Sequence, residues 1–204
     1  VLDASQILTI DTINFLSSST VFGMCVWSVS KTFIKRESQS SLRTSTFLAL
    51  GAAAGGVLGV DIFAWLKQAV RNLKLIGSVQ ALLLLLLTAL TLLYMRKKDC
   101  LPSCAVRSRW LSVLVGFFLG MLGSFLGIGG GPFHIAVLYL LYSMTAKEAA
   151  QNSLYIILIS QGAGLLKSFI GGNIPDVAKT LLAGMILAGI IGSELGDMVN
   201  KRMS

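Results

Sequence analysis

Residues 82–87 are six consecutive leucines, inside an apolar stretch that runs from 75 to 95 and stops at Arg96, Lys97 and Lys98. At about 1.5 Å per helical residue, such a stretch is long enough to cross the ~30 Å hydrocarbon core of a bilayer. The chain repeats the pattern. Apolar stretches cover 13–30, 45–66, 75–95, 110–126, a shorter 132–143, 149–170 and 178–197, with charged residues gathered in the gaps. Of the 204 residues 54% are hydrophobic and 13% charged, and the mean hydropathy is +0.79. An ordinary soluble domain, with about a quarter of its residues charged, is excluded. An unstructured chain is excluded too, because it would lack this apolar mass. Nothing alternates apolar and polar residues over about ten positions as a β-barrel strand does. The expected fold is all-α, a multi-pass transmembrane helical bundle of about seven membrane segments.

The formal net charge of +8 is compatible with a polyanion binder. The basic residues sit between apolar stretches, however, where membrane topology puts them, so the expected partner is the lipid bilayer and not nucleic acid. If every stretch crosses, one side holds twelve Lys and Arg residues and the other five: Lys67, Arg71, Lys74, Lys167 and Lys179. If 110–143 makes one broken crossing, the split becomes eleven to six, and the same side still leads. The loops at 31–43 and 96–109 are therefore expected in the cytoplasm, and the protein in the plasma or inner membrane. Cys25, Cys100 and Cys104 with the single histidine, His134, supply no set of four zinc ligands, and no metal or cofactor is expected. The chain opens at Val1 without a basic head and apolar core, so no signal peptide is expected, and a fragment is compatible with this start.

Residues 47–61 (FLALGAAAGGVLGVD) and 180–194 (TLLAGMILAGIIGSE) align at an offset of 133. Gly51, Gly56 and Gly59 fall on Gly184, Gly189 and Gly192, and Asp61 falls on Glu194, so an acid ends each glycine stripe. Asn14 and Asn152 each open an apolar stretch, at an offset of 138. These correspondences predict two related units, 1–98 and 110–204, joined by a basic loop at 99–109. Repeated units are the usual construction of secondary transporters, whose sites form where the repeats meet. Small residues four apart also occur wherever membrane helices pack closely, and packing is the expected job of these glycines.

Residues 116–134 (GFFLGMLGSFLGIGGGPFH) form a glycine-bearing helix that runs into Gly129, Gly130, Gly131 and Pro132. Three glycines and a proline predict a helix break within the membrane. Unpaired backbone at that depth is tolerated only where it is buried in protein or lines a polar cavity, which marks a site. Amides at the helix start near Pro132 favour an anion. The glycines also match part of a nucleotide-binding pattern, but they follow a membrane helix and not a strand, so that reading is discarded.

The run GSFLGIGGGPF, then AAQNSL, GGNIP and the stripe LLAGMILAGIIGSELG, resembles the second half of the sulfite exporter TauE/SafE family of membrane transporters. The resemblance covers 110–197 well and 10–95 more loosely. It implies a two-unit transporter that exports or exchanges a small anion, such as sulfite or an organosulfur acid, by alternating access. It also implies that amides of Gly127, Gly129, Gly130 and Gly131 hold the anion, with Asn152 and Ser153 on the neighbouring helix start and Asn14 as counterpart from the first unit. The first unit departs from the family pattern because its glycine break would lie before residue 1. The last helix of the second unit would lie after Ser204. A chain trimmed at both ends and a degenerate copy both fit this departure.

No Lys or Arg lies in the middle of a stretch, so amides and dipoles are expected to meet the substrate's charge. Asn14 and Asn152 also read as helix N-caps. His134, Glu194 and Asp61 are candidates for proton coupling, with Asp197 behind them, and Gln161 and Ser160 are weaker polar candidates. No catalytic set of nucleophile, base or metal cluster is present, so an enzyme is not expected. The alternative is a non-transporting membrane scaffold or assembly factor of the same fold. A homo-oligomeric assembly is compatible with either reading.

Overall fold

The computed structural model describes residues 10–34, 42–70, 73–97, 108–127, 130–172 and 179–203. Among these, all regular structure is helical: α1 (Ile10–Ile34), α2 (Leu42–Ala69), α3 (Leu73–Lys97), α4 (Arg109–Leu126), α5 (Gly131–Tyr142), α6 (Ala146–Ile170) and α7 (Lys179–Met203). Each apolar stretch became one helix, with most ends shifted by a few residues. Five helices, α2, α3, α4, α6 and α7, are long and apolar enough to cross a membrane, and α5 is a shorter apolar helix. α1 is long enough but more polar, since it carries five serines and three threonines. Some of those hydroxyls are satisfied within the helix, Thr20 Oγ1 donating to Leu16 O at 2.8 Å and Thr32 Oγ1 to Ser28 O at 3.0 Å.

α2 and α4 form the most extensive helix pair, built on glycine from both sides. A Cβ on Gly51 or Gly55 would run into the Val113 or Phe117 carbonyl, and one on Gly116 or Gly120 into that of Leu48 or Ala52. Glycine at all four positions lets the two backbones touch, which gives dispersion contact where lipid supplies no hydrophobic drive. Gly56 faces Ser160 of α6 instead. In the matching stripe of α7, Gly189 faces Thr20 of α1, whereas a Cβ on Gly184 or Gly192 would meet open space.

Contacts set the helix directions. Gly51, Gly55 and Gly59 lie against Val113, Phe117 and Met121 in turn, so α2 and α4 are parallel. Ser45 bonds Asn152, Gly56 meets Ser160, and Asp61 pairs with Lys167, so α2 and α6 are parallel as well. Phe15 packs on Phe169 and Phe22 on Gly162, which makes α1 antiparallel to α6. α7 runs with α1, with Thr20 against Gly189 and Lys31 against Glu194 and Asp197. The pairs α1–α2 and α6–α7 thus have opposite orientations.

α5 doubles back along α4. Tyr142 Oη, at its far end, donates to Ser112 Oγ near the start of α4 at 2.9 Å, and Leu138 packs with Leu48 and Ala52 in the core. The chain therefore reverses at the glycines rather than continuing through one broken crossing. One turn before the reversal, Gln161 Nε2 reaches Gly123 O at 3.5 Å. α6 runs nine residues beyond Gln161, to Ile170, about 13 Å, whereas Gly127 lies only four residues, about 6 Å, beyond Gly123. The turn is therefore embedded within the helical layer. On the outside, Leu82, Leu85, Leu86, Leu90 and Leu93 of α3 are each more than half exposed, a surface suited to lipid tails.

Candidate functional site

The turn is made by backbone that side-chain-bearing residues rarely adopt. Gly127 caps α4 at φ 67°, ψ 10°, its N–H donating to Ser124 O at 3.2 Å, and Gly130 precedes α5 at φ 67°, ψ 25°. Both are left-handed, where a Cβ costs about 1–2 kcal/mol. Gly131 and Pro132 open α5. Gly129 lies outside the described residues.

Asn14 of α1 reaches this turn, since a Cβ on Gly127 would lie 2.7 Å from its Oδ1. Asn14 also lines a cavity of about 340 Å³ between α1, α2, α4 and α6. The polar wall consists of Asn14, Ser18, Lys67, Gln68, Ser124, Gln161 and Ser168, and Phe15 and Phe63 contribute apolar wall. Its polar groups are neutral amides and hydroxyls plus one ammonium, a set suited to a small anion that must also be released. Ser124 and Gln161 are buried and held across α4 and α6: Ser124 Oγ lies 3.4 Å from Ser160 Oγ, and Ser160 also donates to Gly120 O at 3.3 Å.

Asn152 and Ser153 lie elsewhere. Asn152 Oδ1 accepts from Ser45 Oγ at 2.6 Å, its Nδ2 donates to Met144 Sδ at 3.3 Å, and Ser153 Oγ donates to Ala150 O at 2.8 Å. Neither residue lines the cavity. Asn152 is not a helix cap either. Thr145 caps α6, its Oγ1 accepting from the Glu148 N–H at 3.3 Å while the Glu148 carboxylate accepts from the Thr145 N–H at 3.0 Å. Asn14 likewise sits inside α1, which is already helical at Ile10.

The two acids that end the glycine stripes are both ion-paired to lysines of distant helices. Glu194 of α7 accepts from Lys31 Nζ at 2.7 Å and from Trp27 Nε1 at 2.7 Å on α1, with Asp197 3.1 Å from the same lysine. Asp61 of α2 faces Lys167 of α6 at 3.4 Å. His134 is buried, its Nδ1 2.7 Å from Gly130 O.

Lys67 and Gln68 escaped the sequence reading, which expected no cation at the site. Their signal is periodic: Val60, Ala64, Lys67 and Gln68 recur on one face of α2, as Gln161, Gly164, Leu165 and Ser168 do on α6. Polar groups appearing late on otherwise apolar faces mark where the cavity lies.

The family model described as sulfite exporter TauE/SafE matches residues 7–204. A curated relative, the "Probable membrane transporter protein YunE" of Bacillus subtilis (strain 168), is 30% identical over 94 residues. That match takes in 46% of this chain and spans a third (33%) of the relative's length. No solved structure matches.

Proposed function

This chain belongs to the sulfite exporter TauE/SafE family, a multi-pass integral protein of the cell membrane, and from that premise we propose that it moves a small anion, sulfite or an organosulfur acid, by alternating access. The observation that carries the proposal is the cavity beside the reversed helix, where Asn14, Lys67 and Gln161 line about 340 Å³ next to Gly127. An anion there would be met by amides, by the ammonium of Lys67 and by the start of α5. Since no guanidinium clamp is involved, release costs little. Asn14, Gly127, Gly130 and Gly131 are the core of this reading. Asn152 and Ser153 enter it as the second unit's counterparts of Asn14, on the far side of the layer.

The movement follows from the two units. α1–α2 and α6–α7 are oppositely directed, and their acids are held by lysines of the other unit, Lys31 with Glu194 and Lys167 with Asp61. Rocking one unit on the other would open one pair while the other stays closed. Glu194 and Asp61 then act through these pairs, and a proton on either would loosen its pair.

The test is flux of radiolabelled sulfite in vesicles carrying the protein. Saturable flux is expected, with Lys67→Ala raising the half-saturating concentration about fivefold, the weight of one charge at ~4 Å in water, and Lys67→Arg restoring it. Absence of flux in well-inserted protein, across several sulfur and carboxylate anions, would replace this reading with the scaffold.

A further inference from the structure

His134 is 1% exposed, and among the described residues its Nε2 has no hydrogen-bond partner. A buried polar atom without a partner costs about 1–3 kcal/mol and calls for an explanation. The other ring nitrogen decides its state. Nδ1 lies 2.7 Å from Gly130 O, which can only accept, so Nδ1 carries the hydrogen and the neutral ring offers a bare lone pair at Nε2. Gly130 O also accepts the His134 backbone N–H at 3.1 Å, which locks the ring to the first turn of α5.

The ring folds over the start of that helix. A Cβ on Gly130 would lie 3.0 Å from His134 Cε1 and would overlap the Phe133 ring, so glycine at 130 is what lets both rings close over the turn. Phe133 stacks against His134 at 4.5 Å between centroids, an apolar wall on one side. The start of this 12-residue helix offers N–H groups at Gly131 and Phe133 with no acceptor inside the helix, while Pro132 has none. The first turn of α5 therefore carries both donors that want negative oxygen and an acceptor that wants a hydrogen.

We propose that the start of α5 and His134 Nε2 together select an oxyanion that still carries an acidic proton. The helix amides take the charged oxygens and Nε2 accepts the hydroxyl hydrogen. A hydroxyl-bearing monoanion satisfies both sets of groups, whereas an anion of the same charge with no acidic proton leaves Nε2 unpaired. The inference rests on the anion-transport reading and narrows its substrate class.

The experiment is a binding measurement on the purified protein, at one mildly acid pH where sulfite is mainly hydrogensulfite. Its comparison ion is methanesulfonate, a monoanion with a methyl group and no acidic proton. One hydrogen bond is worth about a factor of ten, so hydrogensulfite should bind about tenfold more tightly. His134→Asn keeps an amide donor in the place of Nδ1 and removes the acceptor at Nε2. It should bring the two ions to near-equal affinity while leaving methanesulfonate unchanged. His134→Gln, with an amide oxygen able to stand in for Nε2, should retain part of the preference. Equal binding of both ions by the unaltered protein, or an equal loss for both in His134→Asn, overturns this inference and leaves the transporter reading standing. Failure of both ions to bind at all overturns both. The comparison in the unaltered protein holds even where a variant fails to fold.

Discussion

Replacing Gly127 with alanine separates the two demands that the turn makes on that position. The first is conformational. Gly127 sits at φ 67°, ψ 10°, and an alanine held there is destabilised by about 1–2 kcal/mol. The second is steric, since the new Cβ would lie 2.7 Å from Asn14 Oδ1 and 3.1 Å from its Cγ. The Asn14 amide is the end of a flexible side chain and would swing aside, leaving the cavity wall, while the Asn14 Cα at 3.3 Å is backbone that must give slightly. Gly127→Ala should therefore lower stability by about 1–2 kcal/mol, or roughly 2–8 °C at about 2–4 °C per kcal/mol for a chain of this size. It should also weaken anion binding through the displaced Asn14. Gly131 is the control, because a Cβ there meets nothing within 4 Å and its φ is ordinary. Gly131→Ala in the first turn of α5 should be neutral or stabilising by up to about 1 kcal/mol. Adding Asn14→Ala to Gly127→Ala should relieve the steric part and leave the dihedral part. Thermal unfolding of the four proteins in one detergent measures this. Equal midpoints for Gly127→Ala and Gly131→Ala would refute the reasoning.

The paired glycine stripes predict opposite tolerances. Gly55→Ala sets a Cβ against the Phe117 carbonyl, backbone that no rotamer change can move, and should destabilise by about 1–3 kcal/mol, whereas Gly192→Ala faces open space and should be neutral or slightly stabilising, as unfolding of both variants would register. Thr145→Ala removes the capping box of α6 and should cost about 1 kcal/mol, with hydrogen exchange rising first in residues 146–149.

The membrane segments were legible because crossing a bilayer demands apolar length, which is written locally. Six leucines in a row at 82–87 have no other soluble or disordered home, and α3 presents Leu82, Leu85 and Leu86 of that run outward. The break was legible for the same reason, since three glycines and a proline act on their own backbone. What the break does to the path was not. One broken crossing and two antiparallel segments share the same residues, and the choice rests on Tyr142 reaching Ser112, thirty positions back. Lys67 was passed over because, read along the chain, it is a charge at the end of an apolar stretch. It becomes part of a site only when α1 and α6 close the cavity around it.

Sequence by itself determined the helical class and the position of the glycine turn, because hydrophobic length and glycine conformational freedom are local properties. Tertiary structure decided which lateral neighbours each helix has. It set Asn14 rather than Asn152 against Gly127, held each stripe-ending acid on a lysine of a distant helix, and left Gly184 and Gly192 uncovered while Gly51 and Gly55 were buried. The reason is physical. Helices in a bilayer choose partners through close packing and polar contacts between residues far apart along the chain, and neither is encoded in the apolar pattern that places them in the membrane.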